Sequence, residues 1–427
     1  MEQNRYRRNR YSRVDASASL QDDASSPLRN FARRNLFWIV ILCISVAALG
    51  LRISTYYFRS FDFNIFLNGW FSELQTKGLG VNPARCNYNL PYLTVLYILG
   101  RISDNALGAI KAFSIVFDFA MAASGTWLIS NLIPPPSRHR RLLCTLAYTT
   151  LLLLPEVLLN SGIWAQCDSV YTTFILLGIT FLLRRNMPPA FLLMGLALAF
   201  KLQAVFLLPL FVLVWLSDKK CHLLHFLLIP GTMLVCGIPA AFAGRSIWEV
   251  FTIYLKKQVG ESTLLNANCP NLYTFMTSNA PYEIFNRFGI ILTLILMGLA
   301  AAAVLRIRRR LAPEEQLLLG VWCSFVCIFC LPNMHERYTY GMDILLVILA
   351  LFTRRRGDLL CAATSMAIST ITGTNVLFQM ETLPNWAAAL IRLGCLLYLT
   401  ARVLSRLAPE LLERVHPHRH TGHPNIE

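Results

Sequence analysis

The sequence predicts an all-α polytopic membrane protein, a bundle of about twelve helical spans with two large loops on its outer side. Three observations predict it. Residues are 55% hydrophobic and only 15% charged, with mean hydropathy +0.50, whereas a soluble domain of this size carries about 25% charge. Apolar runs of near-spanning length recur from Leu36 to the C-terminal region. They are too long, and too little alternating, for the strands of a barrel. Basic residues gather in short loops, and every strong cluster falls on one side when the chain is threaded back and forth.

Formal net charge is +16. In a soluble protein that would suggest nucleic acid. Here it reads as the orientation signal of membrane loops, so the partners expected are lipids and not nucleic acid. The twelve cysteines form no Cys-x-x-Cys pair and no His/Cys ligand spacing. Cys323, Cys327 and Cys330 stand at helical spacing and read as packing residues. A disulfide among Cys86, Cys167 and Cys269 is left open.

The elements follow in order. Residues 1–34 are polar and rich in arginine, a disordered cytoplasmic tail. Leu36–Leu51 has no small-residue cleavage site behind it and reads as a retained anchor, not a signal peptide. Thr55–Arg101, aromatic and only partly apolar, is the first outer loop, with interfacial helices lying flat. Ala109–Ile129 returns to Arg138, Arg140 and Arg141. Leu142–Leu159 goes out and Ser169–Leu183 comes back to Arg184 and Arg185. Ala190–Phe200 and Ala204–Leu216 form a short pair around Lys201. Leu223–Ala243 leads to the second outer loop, Gly244 to about Glu283. Phe288–Leu305, Leu317–Leu331 and Gly341–Phe352 alternate next, the first and last ending at arginine clusters. Two further spans complete a membrane domain over 35–406, and 407–427 is a second cytoplasmic tail.

Three polar islands fall on the outer side of this threading: Ser60–Phe61–Asp62, Trp164–Ala165–Gln166–Cys167–Asp168 and Met334–His335–Glu336–Arg337–Tyr338. An Asp or Arg at a helix centre costs roughly 2.5–3.5 kcal/mol on insertion scales, so charges kept at several helix mouths imply use. Asp62 is either the cap of an interfacial helix or a general base at the mouth of a cavity. Trp164, Gln166 and Asp168 are either an ordinary polar connection or one wall of a site for a sugar or lipid-linked head group. Lys201 sits in apolar surroundings and needs a partner or a cavity, and a phosphate fits. Asp118 reads as a polar contact between packed helices. Asn87–Tyr88–Asn89–Leu90–Pro91–Tyr92 reads as the start of a helix. His335 and Arg337 suit a phosphate, with Glu336 to orient them. No i, i+4 His pair marks a zinc hydrolase, and no Walker A loop marks ATP coupling.

These islands, in this order, resemble the GT-C class of integral-membrane glycosyltransferases. The nearest resemblance is to bacterial relatives of the GPI mannosyltransferase II family. That group has an acidic residue in its first outer loop (here Asp62), then an aromatic and Pro–Tyr stretch (Asn87–Tyr92). It continues with a W-x-Q-x-D-S segment (Trp164–Ser169), a lysine before an apolar span (Lys201) and Met–His–Glu–Arg–Tyr (Met334–Tyr338). A similar order occurs in the dolichyl-phosphate-glucose glucosyltransferases. Two positions depart from the pattern, Phe61 in place of Gly before the acid and Leu202 in place of Pro after the lysine.

The resemblance implies a GT-C-like bundle that moves a mannose-like or glucose-like hexose, with inversion, on the extracytoplasmic face. The donor would be a polyprenyl-phosphate sugar and the acceptor a hydroxyl of an envelope glycan, lipid or protein. In a bacterium the membrane would be the plasma (inner) membrane, with both termini cytoplasmic. Asp62 would be the base. His335, Arg337 and Lys201 would hold the donor phosphate, oriented by Glu336. Trp164, Gln166, Asp168 and Tyr338 would hold sugar or acceptor. The set calls for no metal and no cofactor. The competing readings are a transporter or flippase of lipid-linked glycans and a non-catalytic subunit of an envelope polysaccharide assembly.

Overall fold

A computed structural model describes residues 27–134, 139–259, 264–277 and 280–409. Residues 1–26 of the expected tail 1–34 and residues 410–427 of the expected tail 407–427 lie outside the described residues. The chain divides after Ala47 into a short N-terminal unit and a large one, Ala48–Glu427. Helix α1 begins at Pro27, inside the segment expected to be a disordered tail, and runs to Ser54. Its Trp38, Leu42 and Val46 are exposed apolar side chains, as suits a helix in lipid.

The large unit is helical almost throughout. Its main helices are α2 (Asn68–Lys77), α3 (Leu90–Ile102), α4 (Ala106–Leu132), α5 (Arg140–Leu153), α6 (Asp168–Leu183), α7 (Met187–Phe200) and α8 (Leu208–Ser217). There follow α9 (Leu228–Phe242), α10 (Tyr282–Ile307), α11 (Pro313–Cys330), α12 (Tyr340–Thr353), α13 (Arg356–Phe378) and α14 (Asn385–Leu407). Helices α6, α11 and α12 are the interior, buried along nearly their whole length. Helix α10 carries a row of exposed apolar residues, among them Ile291, Leu294 and Leu299, and faces outward. This is an all-α, multi-pass integral membrane protein.

Seven helices among the described residues are long and apolar enough to cross a membrane. An eighth span forms if Arg140–Leu153 and Pro155–Ile163, bent by 47° at Leu154, count as one. The expected twelve also counted Ser169–Leu183, Ala190–Phe200, Ala204–Leu216 and Gly341–Phe352. The helices there have only 10 to 16 residues. A 16-residue helix is about 24 Å long, short of a hydrocarbon core of about 30 Å. These four are apolar, but each is shorter than a helix that crosses the core upright.

Asp118 and Arg52 form a fully buried ion pair inside the bundle. Asp118 on α4 accepts from Arg52 Nε at 2.7 Å and from the Ser161 hydroxyl. Arg52 also donates to the carbonyls of Ala48 and Leu152, each at 3.0 Å. Asp118 is thus a contact between packed segments, as expected, and Arg52 is the partner that charge pattern alone did not reveal. Breaking a buried pair by removing one member costs more than the pair contributes.

Two irregular stretches interrupt the helices. The second outer loop returns as a two-residue strand, Asn266–Ala267, pairing in parallel with Met334–His335. Asn268, at φ 64°, adds an antiparallel bridge to His335. The third island is thereby fastened to the second loop through the backbone. At Lys201 the chain leaves α7 in an extended conformation and resumes as a tight turn over Leu202–Leu207.

Candidate active site

Asp62 begins a π-type turn, Phe63–Leu67, but does not cap it. The cap is Ser60, whose hydroxyl accepts from Phe63 N at 3.1 Å and donates to the Trp164 carbonyl at 2.8 Å. Ser60 therefore joins the first island to the second and leaves the Asp62 carboxylate free for other partners. Three donors converge on its Oδ2: Arg337 Nη1 at 2.9 Å, Gln166 Nε2 at 3.0 Å and Trp164 Nε1 at 3.1 Å. Among the described residues no donor lies on Oδ1. All three islands thus meet on one oxygen atom.

The second island can do this because Ala165 takes a positive φ of 62°, turning Trp164 and Gln166 to the same side. Gln166 is held at its other end, where Oε1 accepts from the Tyr88 hydroxyl at 2.8 Å. Tyr88 was expected to serve only the start of a helix. That structural role belongs to its neighbour Asn89, whose Oδ1 accepts from Leu90 N at 2.8 Å to open α3. Tyr88 itself belongs to the site. Burial holds its hydroxyl well above the usual phenol pKa, so it stays a donor.

Arg337 lies over the Trp164 ring, 5.6 Å from its centroid, with Glu336 Oε1 at 3.6 Å. Desolvation works against its charge, but Asp62 and Glu336 outweigh it and hold the guanidinium above its ordinary pKa. Glu336 is pushed up by burial, which Arg337 opposes in part. His335 is held below the ordinary imidazole value, first by desolvation and then by the Arg337 charge. The ring is therefore neutral at pH 7, and a neutral imidazole offers one N–H. The Tyr338 hydroxyl is pushed up to about 12 by burial.

Asp62, Trp164, Gln166, His335, Arg337 and Tyr338 line one cavity of about 350 Å³, together with Tyr88 and Glu336. Phe61, Phe66, Leu67 and Trp70 form an apolar stretch of the same wall. Lys201 and Asp168 do not line it. They form a buried ion pair with each other. Asp168 also accepts from Asn160 Nδ2 at 2.7 Å, and the Lys201 ammonium lies 5.5 Å from the centroid of the Tyr88 ring. The lysine expected at the donor phosphate and the aspartate expected at the sugar are thus partners of one another, set outside the cavity lining. Their place is beneath Tyr88, which they support.

The twelve cysteines are all unbridged, Cys86, Cys167 and Cys269 among them. Among the described residues no group of three or more His, Cys, Asp and Glu is placed to hold a metal ion.

The family model described as glycosyltransferase family 87 matches residues 88–332, more than half of the chain. The matched stretch runs from Tyr88 through Trp164, Gln166, Asp168 and Lys201. It begins after Asp62 and ends before Met334, so the first and third islands flank it. No curated protein matches the chain. A multi-pass bundle, a cavity of hydrogen-bonding groups and this match agree, and the chain belongs to glycosyltransferase family 87.

Proposed function

We propose that this glycosyltransferase moves a hexose from a polyprenyl-phosphate sugar to an acceptor hydroxyl on the extracytoplasmic face, with inversion at the anomeric carbon. The observation that carries the reading is the Asp62 carboxylate, with Oδ2 fixed by three donors and Oδ1 open. A carboxylate so held is oriented for one task at one atom. Oδ1 takes the proton of the acceptor hydroxyl as its oxygen attacks the anomeric carbon. The bond from that carbon to the phosphate oxygen breaks in the same displacement, and polyprenyl phosphate leaves with the electron pair.

Phosphate is a competent leaving group and needs charge and donors, not a strong acid. Arg337 is the cation at the cavity wall, and neutral His335 adds one donor. Glu336 holds Arg337 from behind. The ring of Trp164 and the amide of Gln166 suit a sugar, and Tyr338 adds a hydroxyl. Lys201 and Asp168 act as positioning residues through Tyr88 and Gln166. Phe61, Phe66 and Trp70 suit the first isoprene units of the lipid.

The outer location is supported by charge. Helix α13, long and apolar enough to cross a membrane, starts at the Arg354–Arg355–Arg356 cluster and near its other end carries Val376, which lines the cavity. Arginine clusters mark the cytoplasmic side. The test is purified protein in lipid, given labelled polyprenyl-phosphate hexoses and a membrane extract. Release of polyprenyl phosphate together with a new glycoside is expected. Movement of lipid-linked sugar across the bilayer without either product would replace the enzyme by a transporter.

A further inference from the structure

A second cavity of about 390 Å³ adjoins the first. The two share Asn268 and Val376 as lining residues. Its volume lies within the range of about 300–1,000 Å³ typical of small-molecule sites. The wall comes from the end of α13, the start of α14 and the connection between them, with Asn268 from the second outer loop. Its polar residues are Asn268, Thr372, Asn375, Gln379, Glu381 and Asn385. Four of the six are amides.

The chemistry of this wall differs from that of the first cavity. No Lys, Arg or His lines it, and its one charge is the Glu381 carboxylate. A phosphate there would meet an anion and no cation. An amide both donates and accepts, as a sugar hydroxyl does, so rows of amides match a neutral polyhydroxyl ligand. Val376, Met380 and Leu383 add apolar surface for the C–H faces of a sugar.

The amides divide into one that builds the wall and others that are free. Asn375 Oδ1 accepts from Thr382 N at 3.2 Å and from its hydroxyl at 2.8 Å, which fixes the connection. Among the described residues, the side chains of Asn268, Gln379, Glu381 and Asn385 have no hydrogen-bond partner. The left-handed backbone of Asn268 and its bridge to His335 hold that residue between the two cavities.

We propose that the second cavity is the acceptor subsite, taking a neutral, hydroxyl-rich glycan whose reacting hydroxyl passes Asn268 and Val376 into the first cavity. This rests on the first cavity being the donor site. The division follows charge, with the anionic donor beside Arg337 and the neutral acceptor beside the amides.

Binding alone tests it. Full-length protein in lipid nanodiscs is titrated with methyl mannobioside, methyl cellobioside and, separately, citronellyl phosphate, using saturation-transfer NMR. The expected result is that a disaccharide binds, and that Asn385→Ala and Glu381→Ala each weaken it about tenfold while leaving citronellyl phosphate unaffected. Neither side chain bonds to the protein, so both variants should keep the wild-type melting temperature. Arg337→Lys should show the opposite pattern. Disaccharide binding that ignores both cavity variants, or follows Arg337 instead, overturns the subsite. So does failure of both disaccharides to saturate at millimolar concentration. No titration involves transfer, so these failures are distinct from a failure of the enzyme reading.

Discussion

Asp62 and Arg337 stand 275 positions apart in sequence and 2.9 Å apart in space. Each is about one-fifth exposed, so the pair is neither sealed in the core nor free in water. An acid and a cation held together at a cavity wall can be separated by an anion that enters and takes the cation. In the proposed reaction the donor phosphate is that anion.

Replacing Asp62 by Asn keeps the shape and removes the proton acceptor. Transfer should fall by about 10²–10⁴-fold, the contribution typical of a general base. Citronellyl phosphate should still bind, and the melting temperature should stay close to that of the wild type. Initial rates with a labelled donor measure this, and a variant retaining a tenth of the wild-type rate would remove Asp62 from the role of base.

Arg337→Lys keeps the charge and loses the planar fork that reaches Asp62, Glu336 and the Trp164 face at once. Its kcat/KM for the donor should drop tenfold or more, with the KM for acceptor little changed. Steady-state kinetics in both substrates separate the two. An unchanged donor dependence would mean that the phosphate binds elsewhere.

Asp168→Asn should act on stability first. It leaves the Lys201 ammonium buried without its counter-charge, a loss of about 3–5 kcal/mol by analogy with other broken buried pairs. The double variant with Lys201→Met should recover much of that loss, because both charges are then gone. Thermal unfolding in detergent compares the three proteins. If the single variant melted with the wild type, the pair would not support the site.

His335 and Glu336 give opposite pH dependences. The His335 pKa is lowered from 6.5 to about 4, so the unfolded chain binds more protons in that window. Its contribution is complete above pH 6.5 and is lost as pH falls through that window. The Glu336 pKa is raised, so its stabilising contribution is lost as pH rises above the ordinary carboxylate range. His335→Gln isolates the first effect. The wild type should lose more melting temperature than the variant between pH 7.5 and pH 5, and equal losses would contradict the shift assigned to His335.

The membrane class and the three islands were legible because charge stands out against hydrocarbon. Asp118 was read correctly as a packing contact for the same reason, since a lone acid within an apolar run needs a partner. Its partner Arg52 was hidden at the end of the first helix, where an arginine also passes for an anchor. Tyr88 was hidden because Asn89 and Pro91 beside it account for a helix start so well. Lys201 was identified as needing a partner or a cavity, and Asp168 as a polar connection or part of a site wall, but sequence carries no distances, and nothing in it said that the two had found one another. The expected spans outnumber the helices of spanning length at α6, α7, α8 and α12, where hydropathy is strong and length is short.

The bridge from Asn268 to His335 ties the walls of the two cavities together through main-chain atoms. A ligand that stiffens one wall lowers the entropy cost of filling the other, and linkage makes the effect mutual. Donor and acceptor should therefore enhance each other's affinity, and product release should loosen both compartments together. On the proposed assignment such coupling would favour the ternary complex over hydrolysis of the donor, because each substrate would be held more tightly when the other is present.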